Sequence, residues 1–225
     1  MLAHQGLALD CMPNSLEAFA AAIEAGADYI ETDAHGTRDG IAVLFHDDEL
    51  NGVKISSLLK AELPDYIPTL SSALTKFPDA KFNIDIKNFE ASAPVAAVIN
   101  THSAQNRVLL TSFSSSRRKN TIKMAPGTAS SPGVGEFGPA LIAAIFGQQW
   151  LVTRYLRGFD AVQIPSSVLG LNIVSKRLVK MYHTAGVKVH VWTINDPEHM
   201  LTLKNAGVDG IVTDRTDLAV IALKN

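Results

Sequence analysis

Glu31 and Asp33 stand two residues apart at the end of the short apolar run Tyr29-Ile30. On a strand, residues two apart point to the same face, so the two carboxylates would share it. The chain then passes Asp39-Gly40, a turn dipeptide, and enters a second apolar segment over 41–45 that stops at His46. Two strands joined by a turn bring an acid pair and a histidine to one rim. Residues 81–87 alternate, with Phe82, Ile84 and Ile86 on one face and Asn83, Asp85 and Lys87 on the other. His4 follows the short segment Leu2-Ala3. Three carboxylates offer the hard oxygen ligands that Mg²⁺ or Ca²⁺ takes, and no Cys or His pattern has zinc spacing. Two histidines titrate near neutrality and can serve as base and acid. Such a cation, together with Lys87, would hold an anion and neutralise charge developing on its oxygens. The combination suits hydrolysis of a phosphate diester. Taken singly, each residue also reads as a plain surface or core side chain. Trp192 alone reads as a wall of the core or of a pocket, and His35 and His190 as structural or solvent-facing. The set carries the argument.

The elements that must position these residues alternate. Asn14-Ser15 offers an N-cap, Leu16, Phe19, Ala20 and Ile23 recur at helical spacing, and Gly26 closes that helix. A strand over 27–33 follows. A short helix is predicted at 56–63, and a helix capped by Thr69 ends at Pro78. Strands are predicted at 81–87, 107–113, 160–165, 187–192 and 209–214. Helices are predicted at 93–99, after Ser114-Ser115-Ser116, at 141–156 with Gly147 as the point of interruption, and at 174–185, 197–206 and 218–223. Residues 127–135, rich in Ser, Pro and Gly, read as a loop holding one weak strand. This amounts to about eight strand–helix units plus one hairpin strand, without a shift in composition that would mark a second domain. Alternation of this kind favours a parallel sheet, and eight units favour a (β/α)8 TIM barrel of one domain over 1–225. No Gly-x-Gly-x-x-Gly follows the first strand, which argues against a dinucleotide fold. In such a barrel the C-terminal strand ends carry the chemistry. Those ends supply His4, then Glu31 with Asp33, His46 from the hairpin, Asp85 with Lys87, Ser112, Gln163, Trp192 and Asp214.

Composition sets outer bounds. A hydrophobic fraction of 47% with 19% charged residues is that of a globular chain. The net charge of −2 gives no reason to expect nucleic acid or an anionic membrane surface as the main partner. The longest apolar segment, 139–146, is too short to span a bilayer, so stable membrane insertion is not expected. The single cysteine, Cys11, excludes an intrachain disulfide. The first residues lack the pattern of a signal peptide, and a cytoplasmic location is the expectation. The oligomeric state is left open.

The motifs, taken in order, resemble the glycerophosphodiester phosphodiesterase family. The matching residues are His4-Gln5-Gly6, Asn14-Ser15, Gly26-Ala27-Asp28-Tyr29-Ile30-Glu31-Thr32-Asp33, Thr37-Arg38-Asp39-Gly40 and His46-Asp47. Further matches are Ile67-Pro68-Thr69-Leu70, Asn83-Ile84-Asp85-Ile86-Lys87, Ser112-Phe113, 191–196 and 207–214. The resemblance implies a (β/α)8 barrel and a divalent cation on Glu31, Asp33 and Asp85, with His4 and His46 as general acid and base. It implies that Lys87 contacts the phosphate and that Trp192 lines the substrate pocket. The implied reaction converts a glycerophosphodiester to glycerol 3-phosphate and an alcohol. The insertion after strand two spans only 47–65, so the cap over the site should be small. Three positions depart from the family pattern. Gln5 stands on the phosphate side where the family has arginine, so a neutral amide replaces a bidentate donor. Pro13 stands where the family has glutamate, and Asp85 is one methylene shorter than the usual glutamate.

Overall fold

The computed structural model describes residues 1–224. Eight parallel strands form the barrel wall: β1 (Leu2–Ala3), β2 (Tyr29–Gly36), β3 (Phe82–Ile86), β4 (Val108–Thr111), β5 (Ala129–Ser130), β6 (Ala161–Pro165), β7 (Lys188–Trp192) and β8 (Gly210–Thr213). Their order around the sheet is β5-β4-β3-β2-β1-β8-β7-β6. The seam between β5 and β6 closes through one residue: the Asp160 amide donates to the Ser130 carbonyl (2.9 Å), and the Ser130 amide donates to the Asp160 carboxylate (2.8 Å). The barrel is therefore nearly closed, as the alternation predicts.

The helices around it are α1 (Leu16–Glu24), α2 (Leu70–Lys76), α3 (Ser92–Thr101), α4 (Ser115–Met124), α5 (Val134–Ile145), α6 (Gln149–Leu156), α7 (Lys176–Thr184), α8 (Pro197–Ala206) and α9 (Thr216–Lys224). Ser15, Thr69, Ser114, Ser175 and Asp196 cap five of them by accepting a backbone amide of the first turn. The apolar core lies between strands and helices. Ile30, Phe82, Ile84 and Ile86 pack with Phe19, Leu74 and Val95 on one side of the barrel, and Val162, Val189 and Val191 pack with Leu178, Tyr182 and Met200 on the other.

Register fixes what points inward. Ile30 pairs with Phe82 and Thr32 with Ile84, so the intervening Glu31 pairs with Asn83 and Asp33 with Asp85. Deeper in the barrel, Asn83 and Gln163 exchange two amide hydrogen bonds (2.8 and 3.3 Å), and Gln163 also meets His190 Nδ1 at 3.4 Å. Gln163 is thus a mid-strand residue of the floor rather than a rim residue. Gly210 makes room for the His190 ring: a Cβ there would lie 2.7 Å from His190 Cδ2.

Burial pushes the His190 imidazole down to about 4, helped by Lys188 and the N-terminal ammonium and opposed by Asp209. An imidazole held neutral in the fold but free to protonate when unfolded stabilises the protein above pH 6.5. That stability falls as pH drops from about 6.5 toward 4, by roughly 3 kcal/mol at most. Urea unfolding at pH 7 and pH 5 should show this slope in the native protein, and His190→Asn should flatten it.

Two local expectations are revised. Residues 56–63 form two 3₁₀ turns, Ile55–Ser57 and Lys60–Glu62, not one helix. Segment 141–156 divides at Gly147, which takes φ +70°, as expected, but the helix before that break begins at Val134, inside what reads as loop. The cap after the hairpin strand Ala42–Leu44 is small, as expected. It holds those two turns and the hairpin Glu49–Leu50/Val53–Lys54, turned at Asn51-Gly52.

Candidate active site

β1 is only two residues long, and the chain leaves it through Gln5 and Gly6 at φ +56° and +85°. Helix α1 presses on this turn. A Cβ on Gly6 would lie 2.7 Å from the Ala18 carbonyl carbon, so only glycine fits. The turn aims the Gln5 amide at Glu31 Oε2 (3.1 Å) and its side chain at Asp33 Oδ2 (3.0 Å). Gln5 is therefore engaged with the carboxylates, one N–H to each.

Asn14, buried and left-handed at φ +59°, completes the support of Asp33. Its Nδ2 donates to Asp33 Oδ2 (3.0 Å), while its Oδ1 accepts from Thr32 Oγ1 (2.6 Å) and the Asp33 amide (3.2 Å). Lys87 Nζ lies 3.3 Å from Asp33 Oδ1 and 3.6 Å from Asp85 Oδ2. Its own burial disfavours its charge, but Asp33 and Asp85 outweigh this and hold its proton above the usual lysine range. Asp85 Oδ1 is buried without a hydrogen-bond partner.

Burial, with Asp33 adding repulsion, pushes Glu31 up to about 8 against the pull of His4 and the Gln5 amide. Burial likewise lifts Asp85 to about 6, opposed by Lys87. Three buried carboxylates thus share one ammonium and one histidine. Among the described residues, no three His, Cys, Asp or Glu groups converge as a ready-formed metal-ligand cluster.

His4 Nδ1 pairs with Asp214 Oδ1 at 2.6 Å, and His4 Nε2 lies 4.0 Å from Glu31 Oε2. Burial works against the charged ring, but the bond to Asp214 and the fields of Glu31 and Asp33 raise it to about 9. Asp214 is in turn held by Asn195 Nδ2 (2.7 Å), whose Oδ1 accepts from Thr213 Oγ1 and the Asp214 amide. The chain Asn195–Asp214–His4 fixes the ring so that Nε2 faces the carboxylates. Asp214→Asn should lower the His4 titration followed by proton NMR, because the bond to Asp214 is lost.

His46 sits just past the hairpin strand with Nδ1 on Asp47 Oδ1 at 2.8 Å, and its side chain is 54% exposed. Buried His35 reaches the His46 carbonyl (3.4 Å). Trp192 stacks edge-on against Phe113, with centroids 5.9 Å apart. Ser112 is a structural tie: its hydroxyl donates to the Ile86 carbonyl (2.8 Å).

One cavity of about 510 Å³ is lined by His4, Glu31, Asp33, His46, Asp85, Lys87 and Trp192, with Asn83 and Gln163 also in its lining. Its other wall is apolar: Phe113, Val134, Phe137, Leu141, Val168 and Ile173. Sequence reasoning missed Asn14 and Asn195 as supports and missed this wall. Asn14 reads as a cap residue, and the left-handed backbone that aims it at Asp33 leaves no pattern in sequence.

Residues 4–218 match the model of the glycerophosphoryl diester phosphodiesterase family. A protein of Mycobacterium tuberculosis described as a probable glycerophosphodiester phosphodiesterase 2 is 41% identical, over 96% of this chain and 88% of its own. The glycerophosphodiester phosphodiesterase of Thermotoga maritima superposes with a TM-score of 0.78 at 26% identity, over 98% of this chain and 96% of its own. A phosphodiesterase of Oleispira antarctica, solved with its product sn-glycerol-3-phosphate, superposes with a TM-score of 0.81 at 23% identity, over 100% and 96% of the two chains. The chain thus belongs to the glycerophosphoryl diester phosphodiesterase family, whose members hydrolyse phosphoric diesters.

Proposed function

We propose that this chain hydrolyses a glycerophosphodiester to glycerol 3-phosphate and an alcohol, with a divalent cation, Mg²⁺ or Ca²⁺, in its site. The observation that carries this reading is the carboxylate trio of Glu31, Asp33 and Asp85. They are buried, two of them are pushed well above the usual carboxylate range, and one oxygen has no partner. Buried anions without matching positive charge are costly unless a cation joins them, and all-oxygen donors suit Mg²⁺ or Ca²⁺. Glu31, Asp33 and Asp85 would hold the ion, which when bound supplies charge neutralisation at the phosphoryl oxygens.

The chain's own residues do the rest. Lys87 binds the phosphate's negative charge, and Gln5 and Asn14 hold Asp33 in place. His4, ring fixed by Asp214, carries a proton on the carboxylate side of the cavity. His46, open to solvent and paired with Asp47, exchanges one at the mouth. One of the two protonates the departing alcohol oxygen while the other takes the proton of the attacking group.

The Oleispira antarctica complex with sn-glycerol-3-phosphate supports the product assignment by likeness of fold. A second reading, a substrate with a longer hydrocarbon group such as a lysophospholipid, is favoured by the apolar cavity wall. A human protein named lysophospholipase D GDPD1, 24% identical over 95% of this chain, is consistent with it. Chelation followed by readdition of Mg²⁺ or Ca²⁺ tests the proposal. Turnover of glycerophosphocholine should vanish and return, and absence of turnover with either ion would refute it.

A further inference from the structure

Charge is segregated along this chain. Residues 1–100 carry 15 Asp and Glu against 6 Lys and Arg, whereas residues 101–225 carry 7 against 14. Between Glu136 and Asp196 the only acid is Asp160, and it is bound into the barrel seam by the Ser130 amide. Within that stretch lie Arg154, Lys176 and Lys180, none of which forms an ion pair among the described residues.

The same part of the chain exposes apolar side chains at the mouth of the cavity. Helix α5 carries one charged residue, Glu136, and this is consumed by Arg118 (2.9 Å), Lys119 (3.0 Å) and the Gly133 amide (3.1 Å). The helix buries Ala140 and Ala144, turns Val134 and Leu141 to the cavity, and leaves Ile142 and Phe146 59% and 74% exposed. A helix with an apolar outer face is not explained by a water-facing surface. Beside it stands the hairpin Ser167–Val168/Leu171–Asn172, whose Val168 lines the cavity. Its turn residue Leu169 takes φ +49° and is 97% exposed, and Leu171 is 61% exposed. Left-handed turn positions favour Gly, Asn or Asp, so a fully exposed leucine there serves the free protein in water poorly. Arg177, at the start of α7 just after this hairpin in the chain, donates to the Ala144 and Ile145 carbonyls (3.1 and 3.2 Å) and ties the end of α5 to the start of α7.

We propose that Ile142, Phe146, Leu169 and Leu171, flanked by Lys176 and Lys180, form a docking face for a bilayer surface containing anionic phospholipid. The apolar side chains enter the headgroup boundary and the lysines meet its negative charge. The face is continuous with the apolar wall of the catalytic cavity, so an amphiphilic diester could pass from the bilayer into the site with its hydrocarbon part on that wall. No helix among the described residues is long and apolar enough to cross a membrane; the contact is peripheral.

Vesicle flotation tests this by reading binding, not turnover, and so stands apart from the reaction proposed above. The full chain should float with vesicles of equal parts phosphatidylcholine and phosphatidylglycerol and be released by salt. It should float weakly with phosphatidylcholine alone. Leu169→Glu with Leu171→Glu should lower partitioning about tenfold or more, with turnover of a soluble diester unchanged. Lys176→Glu with Lys180→Glu should lower binding to the anionic vesicles only. Failure of the native chain to float would overturn the proposal. So would binding indifferent to both variants, or light scattering that shows a dimer dissociated by the leucine variant, since a second copy would then cover the face.

Discussion

Replacing His46 by alanine is expected to lower kcat about 10²–10⁴-fold, the usual worth of a positioned acid or base, while leaving the unfolding temperature near its native value. The two readouts separate because of where His46 sits. Its side chain is half exposed and its hydrogen bond is to its own neighbour, Asp47, so the fold loses little on truncation. The ring lines the same cavity as His4 and the three carboxylates but comes from a different element. His4 is held by Asp214, itself tied to Asn195, whereas the His46 side chain is half exposed. Near-native turnover in the variant would remove His46 from the chemistry. A drop in the unfolding temperature matching the lost activity would assign it a structural role instead.

Glu31→Gln should produce opposite effects on activity and stability. The substitution keeps the shape of the side chain and its place against the Gln5 amide but removes the carboxyl that burial and Asp33 push up to about 8. A neutral amide carries no cost of ionising in that buried place, so the variant should unfold at the same temperature as the native protein or higher. Its kcat/KM should fall about 10²-fold or more, because the proposed cation would lose one of its three carboxylate ligands. Calorimetry supplies a separate reading of the same claim. Mg²⁺ or Ca²⁺ should raise the unfolding temperature of the native chain by mass action and should raise that of Glu31→Gln much less. An equal rise in both would show that Glu31 is not a ligand.

Much of this site could be read from residue order because barrel geometry converts strand ends into neighbours. The alternation of Phe82, Ile84 and Ile86 with Asn83 and Asp85 fixes which side faces inward, and the register then sets Asp33 opposite Asp85. His4 and Asp214 are 210 positions apart, yet both fall at strand ends and meet at 2.6 Å. What escaped the sequence was set by irregular backbone. Asn14 reaches Asp33 only because the loop from Gln5 places it left-handed. The start of helix α5 reads as loop because its N-cap is Gly133, and Gly135, Gly138 and Pro139 follow within its first turns. Its reciprocal Glu136 contact to the Gly133 amide stabilises the start without the Ser or Thr that marks a capping box in sequence. Gln163 lies on the floor and not at the rim because its strand runs on to Pro165, two residues past the register pair of Gln163 with His190.

The site departs from a plain phosphate cradle at Gln5, whose amides serve Glu31 and Asp33. In the proposed reaction, phosphate recognition would fall to Lys87 and to a cation on the three carboxylates. That reaction is defined by which P–O bond breaks, and phosphorus NMR of glycerophosphocholine turnover reads that directly. With Mg²⁺ or Ca²⁺ present, the single new phosphorus signal should be glycerol 3-phosphate, with choline released. Phosphocholine with free glycerol, or no new signal with either ion, would contradict it.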